Sequence, residues 1–302
     1  MRGTSDIFHD CARAMGTRLD VVLTGIPRDE AEAVAGRVFD RIRELESTLS
    51  RFRPDGETGR LNRLAAAAPV TVSPFLRDLL VACRRFHDGT DGAFDIALTP
   101  LLRRHRLPEN ERTDDNLREA LAASGTDRIV VDPQGCTVRF AHPATEIDFG
   151  AVGKGIALDA IRPMLVEAGI ANALVSFGES SILALGRHPY GEHWEIGIRH
   201  PVTDAVAHTV RLRDTALSVS GLRRITHDNV TDLQGHIVEP GTGRLVARPV
   251  TVAVSSGSAF EAEVLSTALI AAGTAAPGFL HRFPGVECHT IDATTPEHTL
   301  LS

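Results

Sequence analysis

The sequence predicts an α+β sandwich, and three observations carry that prediction. Two amphipathic helical stretches occupy the first third of the chain. A long succession of short strand-like runs follows from about residue 128. Helices and strands do not alternate in the regular way that builds a parallel βαβ sheet. With 302 residues, 43% of them hydrophobic, the chain can bury a large core, so one large domain or two closely packed lobes over residues 1–302 are expected rather than disorder.

Thr17 to Leu23 alternates and is β-branched enough for a strand, after which Gly25, Ile26 and Pro27 turn the chain. Val34, Val38, Phe39, Ile42, Leu45 and Leu49 then recur at three- and four-residue steps, with Arg and Glu on the other face. This pattern predicts a helix lying on a sheet and ending near Ser50. Ser73 as N-cap and Pro74 in the first turn announce a second helix, which runs through Leu76, Leu79, Leu80 and Cys83 and stops at Gly89. Leu107 to Asn116 is charged and contains proline, so it reads as a surface excursion before a short helix over about Asp115 to Ser124.

Strands are expected at Ile129 to Val131, Thr137 to Phe140 and Glu146 to Phe149, followed by a helix from about Gly153 to Ala168. Further strands are expected at Ala173 to Phe177, Ile182 to Leu185, Trp194 to Arg199, Thr209 to Leu212, Ala216 to Val219 and Val250 to Val254. Good helix formers from Phe260 to Ala272 end at Gly273.

Net charge is -7, with no run of like charge, which argues against nucleic acid or an anionic membrane as the main partner. The amino terminus lacks an apolar segment of signal-peptide length and no stretch is long and apolar enough to span a bilayer, so a cytoplasmic setting with no membrane anchor is expected. Cys11, Cys83, Cys136 and Cys288 are scattered without a close pair, which suits reduced structural thiols rather than a zinc or redox site. Lys154 is the only lysine among 32 basic residues.

Lys154 stands in the segment Asp148-Phe149-Gly150-Ala151-Val152-Gly153-Lys154-Gly155, a strand end running through glycines into a helix. Such a turn exposes backbone N–H groups and a positive helix terminus, and the ammonium adds a charge suited to a phosphate oxygen; the alternative is a plain helix start with a solvated lysine. The glycine spacing is too short for a Walker loop, and Gly155 stands where Ser or Thr would be. Glu263 and Thr267, four apart on the last helix, share a face and offer two oxygens to a hard cation such as Mg²⁺, or form a solvated face. His236 opens a run rich in Pro and Gly and suits a general base or phosphate donor, although with 13 histidines any one is more often polar surface. Ser220 and Gly221 are expected to form another small, backbone-exposing turn able to approach a ligand. No Gly-x-Ser-x-Gly elbow is present.

In order along the chain, these segments resemble the ApbE family of FAD:protein FMN transferases. The resemblance runs from Met15 to Gly273. It is carried by Met15-Gly16-Thr17, SRFRPDGETGRLN from Ser50, GAFDIALTPL from Gly92, DFGAVGKGIALD from Asp148, VSFGESS from Val175, SGLRR from Ser220, HIVEPGTG from His236 and EVLSTAL from Glu263. It implies a sandwich of mixed and antiparallel sheets flanked by helices, with FAD in a central cleft. By resemblance, Met15, Phe52, Ala93, Phe94 and Asp95 hold the flavin and adenosine parts, and Ser220 joins the FAD site. Lys154 and Asp159 lie along the pyrophosphate and ribose, and His236 sits beside the scissile phosphate. Ala151, through its carbonyl, holds Mg²⁺ together with Glu263 and Thr267. The sequence departs from the family pattern at Glu263 and Glu239, where Asp is usual, at Gly56, where Ser is usual, and at Glu179, where a second Gly is common.

The implied reaction is transfer of the FMN half of FAD to a Thr or Ser hydroxyl of an acceptor flavoprotein, with release of AMP. Two other readings share the site: an FAD pyrophosphatase, in which water replaces the acceptor, and a non-catalytic FAD-binding protein.

Overall fold

A computed structural model describes residues 7–227, 230–234, 237–273, 278–293 and 299–301. In chain order the elements are β1 (Ile7–Ala14), β2 (Thr17–Thr24), α1 (Arg28–Leu49), α2 (Glu57–Leu64), β3 (Val70–Thr71), α3 (Pro74–Gly89), α4 (Thr99–His105), α5 (Asp114–Ala123), β4 (Ile129–Asp132) and β5 (Thr137–Phe140). There follow α6 (Gly153–Glu167), β6 (Asn172–Phe177), β7 (Ser181–Leu185), β8 (Trp194–Arg199), β9 (Val206–Leu212), β10 (Thr215–His227), β11 (Val230–Gln234), β12 (Val250–Ser256), α7 (Ala259–Ala271), β13 (Glu287–Asp292) and β14 (Thr299–Leu301).

The main sheet has the order β1-β2-β6-β7-β10-β12-β13-β14, with β11 paired to β10, and every adjacent pair is antiparallel. Side chains alternate across it. Leu183 and Leu185 of β7 enter the core under the helices, whereas Ile182 and Ala184 meet Trp194, Ile198, Val210 and Leu212 of the separate β8–β9 hairpin. Both faces are therefore covered at the centre, which is why all seven residues of β12 are buried. A small sheet of order β3-β5-β4 lies beside α3, and a satellite cluster of Leu101, Ala120 and Val238 joins α4 and α5 to the 237–246 turn.

The expected apolar face of α1 is buried at Val34, Val38, Phe39, Ile42, Leu45 and Leu49, and Ser73 caps α3 by accepting the Leu76 N–H. Two expectations are corrected: Ser220 and Gly221 are not a turn but lie within β10, opposite Val252 and Thr251 of β12, and Glu146 to Phe149 is not a strand. The 146–149 segment joins no ladder, because Asn62 takes both backbone groups of Ile147 and the Ile96 carbonyl takes the Asp148 N–H.

Candidate functional site

The turn from Asp148 to Gly155 is held on both sides. The Asp148 carboxylate accepts the Gly150 N–H at 2.8 Å and pairs with Arg51 Nε at 2.7 Å. The turn leads into α6, whose N-cap, Val152, has no side-chain acceptor. The Gly155 N–H instead donates to Glu263 Oε2 at 2.6 Å, from a residue on α7. A Cβ at Gly155 would lie 2.5 Å from the Ala259 carbonyl oxygen and 2.8 Å from Glu263 Oε2, so only glycine lets the two helices approach this closely.

A cavity opens on each side of this turn. The first, about 490 Å³, is lined by the β1–β2 turn at Met15, Gly16 and Thr17, by the end of α1, by Arg51 and Phe52, and by Gly153, Lys154 and Ser180. The second, about 320 Å³, is lined by Ala93, Asp95, Thr99, Leu102, Ala151, Ser220, Gly221, Ile237 and Thr267, among others. Asp148, Gly150 and Lys154 line both, so the sole lysine marks their junction.

Met15 and Phe52 line the first cavity. Met15 occupies a two-residue turn with φ of 49°, followed by Gly16 at 77°, which suits the tight hairpin between Ala14 and Thr17. Phe52 is 74% exposed, with the Arg51 guanidinium 4.1 Å from its ring centroid. Arg51 also pairs with Glu146, which Arg103 contacts in turn. No residue pattern singles out Arg51, although it lies within the SRFRP segment.

Ala93, Asp95, Ala151, Ser220 and Thr267 come together around the second cavity. The Asp95 carboxylate is tied down, accepting from Ala97 N at 2.6 Å, Thr126 N at 2.9 Å and Thr126 Oγ1 at 3.0 Å. His87 Nδ1 lies 3.3 Å from Asp95 Oδ2 and 2.9 Å from the Phe94 carbonyl. Burial opposes the charged imidazole, but the hydrogen bond and charge of Asp95, helped by the Phe94 carbonyl and Asp127, outweigh it and raise the His87 pKa. Ser220 Oγ lies 2.8 Å from Ser266 Oγ, which donates to the Glu263 carbonyl.

Three described candidates, Phe94, Asp159 and Glu263, line neither cavity. Phe94 is fully buried in the main core and lines neither cavity. Asp159 also lines neither; its carboxylate accepts Ser258 Oγ–H at 2.6 Å and the N–H groups of Ala259 and Phe260 at 2.8 and 3.0 Å, capping α7. Glu263, 2% exposed, lies beneath the turn, where Ser181 Oγ donates to Oε1 at 2.5 Å and Lys154 Nζ stands 3.2 Å away. Ser181, buried in VSFGESS, was not singled out because a lone serine at a strand start carries no signal. His236 lies outside the described residues; its neighbour Ile237 lines the second cavity. Among the described residues, no helix is long and apolar enough to cross a membrane.

The arrangement is a glycine-bearing turn that places one lysine ammonium between two cavities, a geometry that suits a ligand with an anionic middle and two bulky ends. The profile of the ApbE family matches residues 15–290. The chain is 30% identical over 290 residues to the FAD:protein FMN transferase of Treponema pallidum (strain Nichols), covering 86% of this chain and 77% of that one. Over 272 residues it is 28% identical to the enzyme of that name from Salmonella typhimurium, covering 87% and 77%. Among solved structures, the apo form of Pseudomonas stutzeri flavinyl transferase ApbE superposes with a TM-score of 0.82 at 25% identity, covering 99% of this chain and 95% of that one. The flavin transferase ApbE from Vibrio cholerae gives 0.82 at 24% identity, covering 98% and 97%.

Proposed function

Because this chain belongs to the ApbE family, we propose that it is an FAD:protein FMN transferase, moving the FMN half of FAD to a Thr or Ser hydroxyl of an acceptor protein with release of AMP. The observation that carries this reading is Lys154 at the junction of the two cavities. FAD has a pyrophosphate at its middle, a flavin at one end and an adenosine at the other. The first cavity, with Met15 and the exposed ring of Phe52, suits the flat apolar flavin. The second, with Ser220 and the backbone of the Ala93 to Asp95 turn, suits the adenosine.

In the reaction the acceptor oxygen attacks the FMN phosphorus in line, the P–O bond to AMP breaks, and the acceptor hydroxyl loses its proton. Lys154 places an ammonium where charge builds on the phosphate oxygens. His236, outside the described residues, is assigned the acceptor's proton on the family resemblance alone.

Thr267 and Ala151 line the second cavity beside Lys154, and a hydroxyl with a main-chain carbonyl is a hard-oxygen donor pair that fits Mg²⁺ when phosphate oxygens and water complete the shell. Bound there, the ion would neutralise phosphate charge. Phe94 and Asp159 support the site from outside its walls, Phe94 through packing and Asp159 by fixing the start of α7.

The acceptor is a flavoprotein subunit with a Thr- or Ser-containing motif, and the setting is cytoplasmic. The deciding experiment is mass spectrometry of candidate acceptors after incubation with FAD, Mg²⁺ and this protein. An acceptor heavier by one FMN, with stoichiometric AMP, is expected. Free FMN and AMP without acceptor labelling would replace transfer by hydrolysis, and yellow protein that turns over no FAD would leave only binding.

A further inference from the structure

We infer that Glu263 is the anchor of Lys154 in this chain rather than a cavity-facing cation ligand: a buried carboxylate that caps α6 and fixes the sole lysine at the junction of the two cavities. The inference rests on the proposed reaction for its consequence and on geometry for its substance.

Both Glu263 oxygens are already engaged. Oε2 accepts the Gly155 N–H at 2.6 Å, while Oε1 accepts Ser181 Oγ–H at 2.5 Å and faces Lys154 Nζ at 3.2 Å. At 2% exposure the carboxylate lines neither cavity, whereas Thr267, one turn further along α7, lines the second. The first turn of α6 lacks a local cap, because Val152 offers no acceptor, and the Glu263 charge stands at that positive terminus. A buried carboxylate needs such donors, and the half-buried Lys154 ammonium supplies its counter-charge. The extra methylene of Glu over the Asp usual in the family extends its reach from α7 to the α6 backbone. Glu263 is thus a positioning residue acting through Lys154, and the oxygens presented to a cation are those of Thr267 and Ala151.

Two measurements test this. In a crystal of the chain with FAD and Mn²⁺, located by anomalous scattering, the Glu263 oxygens are expected to remain on Gly155 N and Lys154 Nζ with the ion against Thr267. An ion within the ~2.0–2.2 Å direct-ligand range of a Glu263 oxygen overturns the inference. In ligand-free protein, trinitrobenzenesulfonate labels the single lysine, read on its peptide by mass spectrometry. Glu263→Gln, whose carbonyl oxygen still accepts the Gly155 N–H and whose amide N–H can donate to Ser181 Oγ, is expected to speed Lys154 labelling about tenfold by removing the ion pair. An unchanged rate in a variant with native circular dichroism overturns it. Because labelling needs neither FAD nor acceptor, it still decides the point if the proposed reaction fails.

Discussion

Lys154 owes its weight to what surrounds it. An ammonium at 23% side-chain exposure, 3.2 Å from Glu263 and on the wall of both cavities, is held in place before any ligand arrives. Preorganised charge at a developing phosphate oxyanion is worth far more than a mobile charge in water, so Lys154→Met is expected to slow FMN transfer roughly 10²–10³-fold. Its thermal midpoint should fall as well, because the buried Glu263 carboxylate loses its counter-charge; a quench-flow assay at a temperature where the variant stays folded and a melting curve check the two halves. Glu179 presents the opposite case. It holds φ at 64° directly after Gly178 at 53°, in the turn that delivers Ser180 to the first cavity. A non-glycine residue there carries strain of ~1 kcal/mol, so Glu179→Gly is expected to stabilise the fold by about that much in urea titration. The sequence displayed Lys154, Thr267 and the departure at Glu179, because each belongs to a short contiguous segment. It did not display how Glu263 is used, since its partners Ser181 and Gly155 lie 82 and 108 residues away.

At the scale of elements, the site depends on how α3, α6 and α7 begin and end. The start of α7 is fixed by Asp159 from α6, and the start of α6 by Glu263 from α7, so the two helices cap each other. Neither cap is visible in local sequence, although both helices were legible from their residue types. Elements with weaker patterns escaped notice. β1 is an edge strand with only Phe8 and Ala14 buried, which removes the alternation that marks a strand, and α2 contains Gly59 pressed against the Arg53 carbonyl. The end of α3 is tied to the 93–97 segment through His87 and Asp95, and this link titrates. Because the folded-state pKa of His87 is raised above its ordinary 6.5, its stabilising contribution is complete below that value and is lost as pH rises through the raised one. Urea midpoints measured from pH 5.5 to 9 should therefore fall across that window in the parent chain. His87→Gln should remove this component of the slope.

Over the whole molecule, the main sheet separates chemistry from support. Both cavities and the turn between them lie among the loops and helices packed with the principal core, whereas the β8–β9 hairpin closes the opposite face of the sheet over Ile182, Ala184, Leu217, Ala253 and Ile291. Trp194 is the largest side chain of that second cluster; it is buried, and its indole N–H donates to the Leu185 carbonyl at 3.1 Å. Truncating it opens a cavity and strands that carbonyl, so Trp194→Ala is expected to cost about 3–5 kcal/mol of stability. None of its neighbours in that cluster lines either cavity, and well-separated sites behave additively. The folded fraction of the variant should therefore bind FAD within about twofold of the parent. Calorimetric unfolding combined with FAD titration at 15 °C separates the two effects. A large loss of FAD affinity in protein that remains folded would mean that the hairpin face and the cleft are coupled through the sheet, contrary to the division drawn here.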